Sequence, residues 1–491
     1  MISPSKTIRQ LRKTIFSRHA SNSAWNVADV AVYPLVMVFT MRLFMTELGE
    51  QQFGIWMWVN TIIASLSLVN IGFGDATVKF VAEYRSKGQM ARAAGVINAT
   101  LSVYIALAAG LAFVCYGGAE AIGYFNLHRH FKIEEANKAL SLQAFQIGAV
   151  TFCLRLVETI ILSALRGLER YDASARLSIL SKGLVLALNV WMVQHGFTLV
   201  QIFINSALVT FLGLCIQLYW VKRLVPQLSL VPSFSGTYLQ GVKGYGFWSW
   251  VSSVLNVISA QMDKYIVSTL AGVSIFGYYS AASTMGERAL GLVAAAAGFL
   301  FPIISARMAK QEPMLKLYYK SQAVIVAGGM AAAAVALWLQ APIFGFILKD
   351  KYAATAPFLR PFLIYLGTLC TTVVPFYFLM GAGLVRYGTI IRVCIICFQL
   401  VLVPGAYHYL GAAYMPLGLT LSHYLGSFIQ AALMARHVYK TPALPFALSQ
   451  GVLPGLFFFA MAFEVPWLFL LAGPLVYKFI YFDRVSYVFK K

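Results

Sequence analysis

Among the ionisable side chains of this 491-residue chain that fall inside long apolar runs, eight come in twos: Asp29 and Arg42, Arg155 and Glu158, Asp263 and Lys264, Glu287 and Arg288, with His423 a weaker candidate. An ionised group at the centre of a membrane helix costs about 2.5–3.5 kcal/mol on insertion scales, so each needs a partner or a wet surface. Two kinds of chemistry fit. Arg and Lys offset the charge of a phosphate drawn out of water, Arg through paired donors. Asp and Glu in the same setting take up a proton or a small cation. Arg155 and Glu158 stand three apart on one helix face, where they either pair with each other or line a hydrophilic cavity. Asp263 and Lys264 are adjacent and point about 100° apart on a helix. Lys264 falls near the second-half counterpart of Arg42, so the two cations either make a basic site or snorkel to the outer interface. Glu287 and Arg288 sit near mid-span, where snorkelling is hard and a water-filled interior is the better explanation. Arg42, Arg155, Glu158, Lys264 and Arg288 are thus candidates for the lining of a hydrophilic cavity. Asp29, Asp263 and Glu287 are the expected carriers of H⁺ or Na⁺. No catalytic constellation emerges.

The elements that position these groups follow from composition. The chain is 60% hydrophobic and 11% charged, where a soluble domain is about 25% charged. Apolar runs of about 20 residues recur along its whole length, enough to cross the hydrocarbon core. They lack the alternation of barrel strands, so the expected fold is an all-α polytopic membrane protein of about 14 transmembrane helices, from 24–45 to 466–482. The net charge of +21 does not point to nucleic acid, because the basic residues lie in short loops and not on one face of a domain. By the positive-inside rule roughly 27 of the 38 Lys and Arg fall in loops on one side, which places both termini in the cytoplasm. Loops on the other side are no longer than about 25 residues, which excludes a large external catalytic domain. No Walker-type glycine loop is present for ATP hydrolysis. Cys394-x2-Cys397 has metal spacing but no second pair, so no metal, cofactor or disulfide framework is expected. The basic N-terminus followed by a long apolar run reads as a retained first span.

The chain also repeats itself. Gly167-Leu168-Glu169-Arg170-Tyr171 with Arg176 returns 216 residues later as Gly383-Leu384-Val385-Arg386-Tyr387 with Arg392. Gly49-x3-Phe53-Gly54 returns 223 residues later as Gly272-x3-Phe276-Gly277. Such duplication builds a substrate path at the seam between halves in many transporters. The expected organisation is a basic tail (1–23), a six-helix bundle (24–221), a cytoplasmic linker (222–243), a second six-helix bundle (244–435), and a peripheral helix pair with a tail (436–491). An even number of spans per half makes the repeats parallel. The Gly-Leu-x-Arg-Tyr motifs are expected to be structural, with Gly allowing close helix approach. Most of Trp56, Trp58, Tyr245, Trp248 and Trp250 are expected as interface anchors.

The order of these features resembles the polysaccharide export flippases of the multidrug, oligosaccharidyl-lipid and polysaccharide superfamily. The resemblance rests on Gly49-x3-Phe53-Gly54-Ile55-Trp56, then Asn70-Ile71-Gly72-Phe73-Gly74 leading to Lys79-Phe80-Val81-Ala82-Glu83-Tyr84. It continues through Gly167-Leu168-Glu169-Arg170-Tyr171 and Asp263 before the second glycine turn. It implies a V-shaped pair of bundles working by alternating access in a bacterial inner membrane. It implies a substrate, an undecaprenyl-pyrophosphate-linked oligosaccharide, for lipopolysaccharide-type surface polymers. It further implies membrane lipids, a polysaccharide polymerase and a chain-length regulator as partners, and no nucleic acid. With no ATPase motif, an ion gradient is the expected energy source, as in an antiporter. The other readings are a multidrug or toxin exporter of the same superfamily and a membrane glycosyltransferase or polymerase.

Overall fold

The structure is a computed structural model that describes residues 40–66, 73–124, 129, 131–229, 236–297, 300, 304, 307, 314–382, 384–439, 442–478 and 480–481. Asp29, most of the first expected span and Asn70-Ile71-Gly72 lie outside the described residues. Within them the regular elements are helical, as the apolar runs require. In chain order they are α1 (40–65), α2 (Phe73–Ser86), α3 (Met90–Tyr124), α4 (Lys138–Gly167), α5 (Tyr171–Gln194), α6 (Leu199–Leu224), α7 (Gly236–Ala271) and α8 (Val273–Ala297). They continue as α9 (Leu315–Trp338), α10 (Gln340–Leu348), α11 (Tyr352–Gly381), α12 (Val385–Leu410), α13 (Met415–Met434), α14 (Ala443–Ala462) and α15 (Pro466–Lys478). Among the described residues, seven helical segments are long and apolar enough to cross a bilayer. The chain is a multi-pass membrane protein, and the all-α expectation is met. Large apolar side chains point outward along these helices, among them Phe113 at 82% exposure and Trp338 at 81%. In water that would be an aggregation surface; against lipid it is the expected exterior.

Helix boundaries differ from those expected, most clearly in two places. A helix, α2, occupies Phe73–Ser86, where the second span was expected to have ended at Phe73. The run expected as one span over 323–348 is two helices, α9 and α10, meeting at Leu339. The reason is Pro342, which has no N–H to give the Trp338 carbonyl, so α9 stops there and Pro342 sits in the first turn of α10.

By its contacts the chain divides into two units: Met1–Gly49, Ile62–His128 and Glu134–Trp250 in one, and Glu50–Thr61, Arg129–Ile133 and Val251–Lys491 in the other. In the first unit, α2 to α6 gather around Tyr104, Ile160, Leu165 and Val221, all fully buried. A capping box opens α6, with Thr198 and Gln201 bonding each other's backbone. Helices in lipid gain little from hydrophobic exclusion and associate through close packing at small residues. The second unit shows this repeatedly. A Cβ at Gly367 of α11 would lie 2.1 Å from the ring of Phe457 in α14, and one at Gly418 of α13 would lie 2.4 Å from the Leu402 carbonyl of α12. Phe457 is fully buried there, and Tyr477 of α15 donates to the Ala323 carbonyl of α9 at 2.9 Å.

The repeated glycine turn is built the same way twice. Gly49 takes φ +73° inside the 40–65 run and Gly272 takes φ +88° between α7 and α8. Only glycine adopts that region freely, so each ends one helix and lets the next begin at once. Four residues on, Phe53 and Phe276 are buried. The two copies then meet. A Cβ at Gly54 would lie 2.0 Å from the Val273 carbonyl, and one at Gly277 would lie 3.2 Å from the Gly54 Cα. Residues equivalent by sequence touch one another. The Trp expectation fails here: Trp56 (7%) and Trp58 (3%) are buried, Trp58 against Phe131 at 4.9 Å. A tryptophan near a span end marks an interface only if its helix face points to lipid, and these face protein. The side chains of Tyr245, Trp248 and Trp250 are not among those described.

Candidate functional site

The second unit gathers a polar cluster inside its apolar helices. On α7, Asp263 and Lys264 are both buried. On α8, Tyr279, Ser283 and Glu287 follow at spacings of four and so form one stripe. The helices are consecutive and turn back at Gly272, so their side chains face one another. The Tyr279 hydroxyl donates to Asp263 Oδ2 at 2.5 Å. Lys264 Nζ lies 3.0 Å from Glu287 Oε1, and the Ser283 hydroxyl donates to the same oxygen at 2.9 Å. Two residues adjacent on α7 thus reach partners two turns apart on α8. The long stem of Lys264 allows it: helical side chains lean toward the N-terminus, and Nζ also approaches the Ala260 carbonyl one turn back, at 3.4 Å.

The two ends of the ion pair differ. The Lys264 side chain is 11% exposed and that of Glu287 41%. The carboxylate is therefore the more open end of the pair, and the ammonium is the more enclosed. Asp263 is buried beside Tyr279, itself fully buried and packed edge-on against Phe362, with ring centroids 5.1 Å apart. The polar chain extends through Tyr365, whose ring meets His423 at 5.5 Å. Gln399 Nε2 donates to the Ser259 carbonyl at 3.2 Å and lies 3.2 Å from His423 Nε2.

Of the other expected residues, one flanks this group and three belong to the first unit. Arg288, next to Glu287 in sequence, is exposed as well. Arg42, Arg155 and Glu158 belong to the first unit. Glu158 is buried at 6% and accepts from Gln217 of α6 at 2.7 Å, a partner the sequence reading did not weigh against Arg155. Arg155 is half-buried on α4 and has no carboxylate partner among the described residues. Arg42 is half-buried. Asp29 lies outside the described residues.

The first Gly-Leu-x-Arg-Tyr motif is structural, as expected. A Cβ at Gly167 would lie 2.8 Å from Val81 of α2. Arg85 at the end of α2 donates to the Leu168 carbonyl at 2.6 Å and pairs with Glu169 at 2.9 Å. The second copy departs from it: its final arginine, Arg392, lines a cavity between helices. Tyr279, Ser283, Gln217 and Gln399 were missed by the sequence reading because a search for ionisable groups passes over neutral donors. The spacing of four from Tyr279 to Glu287 was the signal that could have found two of them.

Residues 48–357 match a family described as polysaccharide biosynthesis protein. A putative O-antigen transporter of Shigella flexneri is 20% identical over 286 residues, which is 58% of this chain and 66% of that protein's length, just short of two thirds. An inward-facing multidrug resistance MATE transporter of the MOP superfamily superposes with a TM-score of 0.65 at 14% identity, covering 89% of this chain and 98% of its own. The lipid II flippase MurJ in an inward closed conformation superposes with a TM-score of 0.59 at 14% identity, covering 94% of this chain and 99% of its own. At these identities the structures establish a shared fold.

Proposed function

Because the chain belongs to the polysaccharide biosynthesis protein family, we propose that it is a flippase and not an enzyme, turning a polyprenyl-pyrophosphate-linked oligosaccharide across the bacterial inner membrane. The family match is the observation that carries this reading. The fold alone is common to a multidrug transporter and a lipid flippase, so it cannot choose between drug and sugar, whereas the family points to polysaccharide. Two parallel six-helix repeats and a further helix pair, with both termini cytoplasmic, alternate access to the two leaflets. The polyprenyl tail stays in lipid and only the headgroup crosses protein. Undecaprenyl pyrophosphate is the carrier in this reading, and a polymerase and chain-length regulator use the product outside.

Lys264 is the residue proposed to meet the pyrophosphate, with Arg42, Arg155, Glu158 and Arg288 lining the rest of the path. Glu287 is then a resident competitor for Lys264. Neutralising Glu287 with H⁺, or occupying it with Na⁺, releases the ammonium toward a phosphate. Asp29, Asp263 and Glu287 are the proposed coupling carboxylates for an ion-for-substrate exchange. The support is geometric: the lysine is buried, its counter-ion is partly exposed, and the two touch.

Deleting the gene in a strain with no redundant exporter should leave lipid-linked sugar in the inner leaflet and remove surface polysaccharide. Normal polysaccharide in that strain overturns the reading. Increased drug sensitivity with normal polysaccharide would instead support a multidrug exporter, and altered chain length with intact translocation a polymerase or glycosyltransferase. Within the flippase reading, Glu287→Gln should bind the phosphorylated substrate about tenfold more tightly and lose its response to an imposed ion gradient, a change of about 1.4 kcal/mol.

A further inference from the structure

A cavity of about 260 Å³ lies among α7, α8, α11, α12 and α13 of the second unit, beside the Lys264 cluster and sharing His423 with its polar chain. Its cation is Arg392, and none of its lining residues is acidic. Among the described residues no carboxylate pairs with Arg392, although it is half-buried in a membrane-spanning helix. A guanidinium kept at such a depth without an acid is a standing offer to an anion.

The surrounding helices are held so that the cavity persists. Arg392, Ile395 and Gln399 form one stripe of α12 and face His423, Gly426 and Gln430 on α13. Ile395 inserts at Gly426, where a Cβ would lie 2.4 Å from its Cγ1. That contact separates a locked polar end from an open one. At the locked end Gln399 spends its amide N–H bonds on the Ser259 carbonyl and on His423 Nε2. At the open end Arg392 shares the cavity with Ser427 and Thr372. Both hydroxyl hydrogens are already given to their own helices, Ser427 to the Tyr424 carbonyl at 2.6 Å and Thr372 to the Leu369 carbonyl at 2.8 Å. What they turn to the cavity is lone pairs. Asn256, Tyr377, His423 and Gln430 also line it, so the site joins one strong cationic donor to hydroxyl acceptors and neutral polar side chains, and a ligand that uses all of them carries a phosphate and hydroxyls together. The volume is below the roughly 300–1,000 Å³ of drug-sized pockets, which suits one sugar with its phosphate and not a whole oligosaccharide.

We propose that this cavity binds the phosphate-proximal sugar of the carrier lipid, with the phosphate on Arg392 and ring hydroxyls on Ser427 and Thr372. The assignment rests on the flippase reading and adds a recognition site to it. Arg392 lies two turns into α12, near the end that the loop charges give to the cytoplasm, where a precursor would be met first.

The test uses the full chain in phosphatidylcholine nanodiscs, titrated calorimetrically with glucose 1-phosphate, inorganic phosphate and glucose. Glucose 1-phosphate should bind at least tenfold more tightly than either fragment. Arg392→Gln should weaken it at least tenfold, and Arg392→Lys by less. Ser427→Ala should weaken glucose 1-phosphate and leave phosphate unchanged. Thermal unfolding of each variant separates lost binding from lost fold. Unchanged affinity in folded Arg392→Gln overturns the proposal. So does equal binding of phosphate and glucose 1-phosphate, which would mean an ion site only. Displacement of glucose 1-phosphate by adding phosphatidylglycerol to the discs would mean a lipid headgroup site and also overturns it. Vesicle translocation distinguishes the two levels. If wild type flips lipid-linked sugar but Arg392→Gln binds normally, the site is wrong and transport stands. If glucose 1-phosphate binds through Arg392 but wild type flips nothing, the transport reading falls.

Discussion

Lys264 and Glu287 touch at 3.0 Å, yet they are not equivalent: the lysine side chain is 11% exposed and the glutamate 41%. Removing one partner of a fully buried pair costs about 3–5 kcal/mol because the survivor is left charged and dry. Here the survivor matters. Glu287→Ala strands a buried ammonium and should lower the unfolding temperature clearly. Lys264→Ala strands a carboxylate that is already 41% exposed, so its effect should be the smaller of the two. Equal shifts in detergent melts would mean that both ends are equally dry and would remove Glu287 as the ion-accessible group. Tyr279→Phe deletes the hydroxyl that donates to buried Asp263 and should cost about 1–3 kcal/mol, the penalty of an unsatisfied buried acceptor. At this scale the sequence was partly legible. A charge in an apolar run announces itself by its insertion penalty, so Asp263, Lys264 and Glu287 stood out. Their pairing did not, because Asp263 and Lys264 are neighbours in sequence and only the facing stripe of α8 decides which partner each receives.

Among the elements, the paired glycine turns carry the sharpest contrast. Gly49 and Gly54 are five residues apart, but they are glycine for different reasons. Gly49 has φ +73° and nothing within 4 Å of an added Cβ, so Gly49→Ala should cost only backbone strain, about 1–2 kcal/mol. At Gly54 the Cβ would lie 2.0 Å from the Val273 carbonyl, and a backbone atom cannot swing aside. Gly54→Ala should therefore force the two turns apart and lower the yield of folded protein far more than Gly49→Ala. A milder effect at Gly54, read by fluorescence size-exclusion of both variants, would show that the turns do not touch. The recurrence of Gly-x3-Phe-Gly was readable from the sequence, as was the use of glycine to break helices. That the two copies pack on each other was not readable, since 223 residues separate them and nothing local encodes the contact. The second Gly-Leu-x-Arg-Tyr copy teaches the converse. Identical spacing gave Arg176 and Arg392 the same expected role, yet Arg176 is exposed and Arg392 lines a cavity, because the helices packed around each copy differ.

For the molecule as a whole, the last helices bear on stability as well as on length. Phe457 of α14 fills the space left by Gly367 of α11, within a core that also holds Tyr318 and Phe378. Phe457→Ala should cost about 3–5 kcal/mol and lower the melting temperature; a neutral result would mean that this pair is only loosely attached. Lipid exposure explains why so much of the architecture was visible beforehand. Backbone groups in hydrocarbon must bond within their own segment, so apolar length alone dictates helices, and loop charge alone argues their orientation. Those constraints act locally along the chain, which is why the sequence determined an all-helical, multi-pass protein with internal repeats. Which side chains pair, which glycines are contacts and not hinges, and where a cation is left facing a cavity depend on helix faces brought together from distant segments. A periodicity of 3.6 residues says that a face exists but not what it meets, and that choice belongs to the tertiary packing.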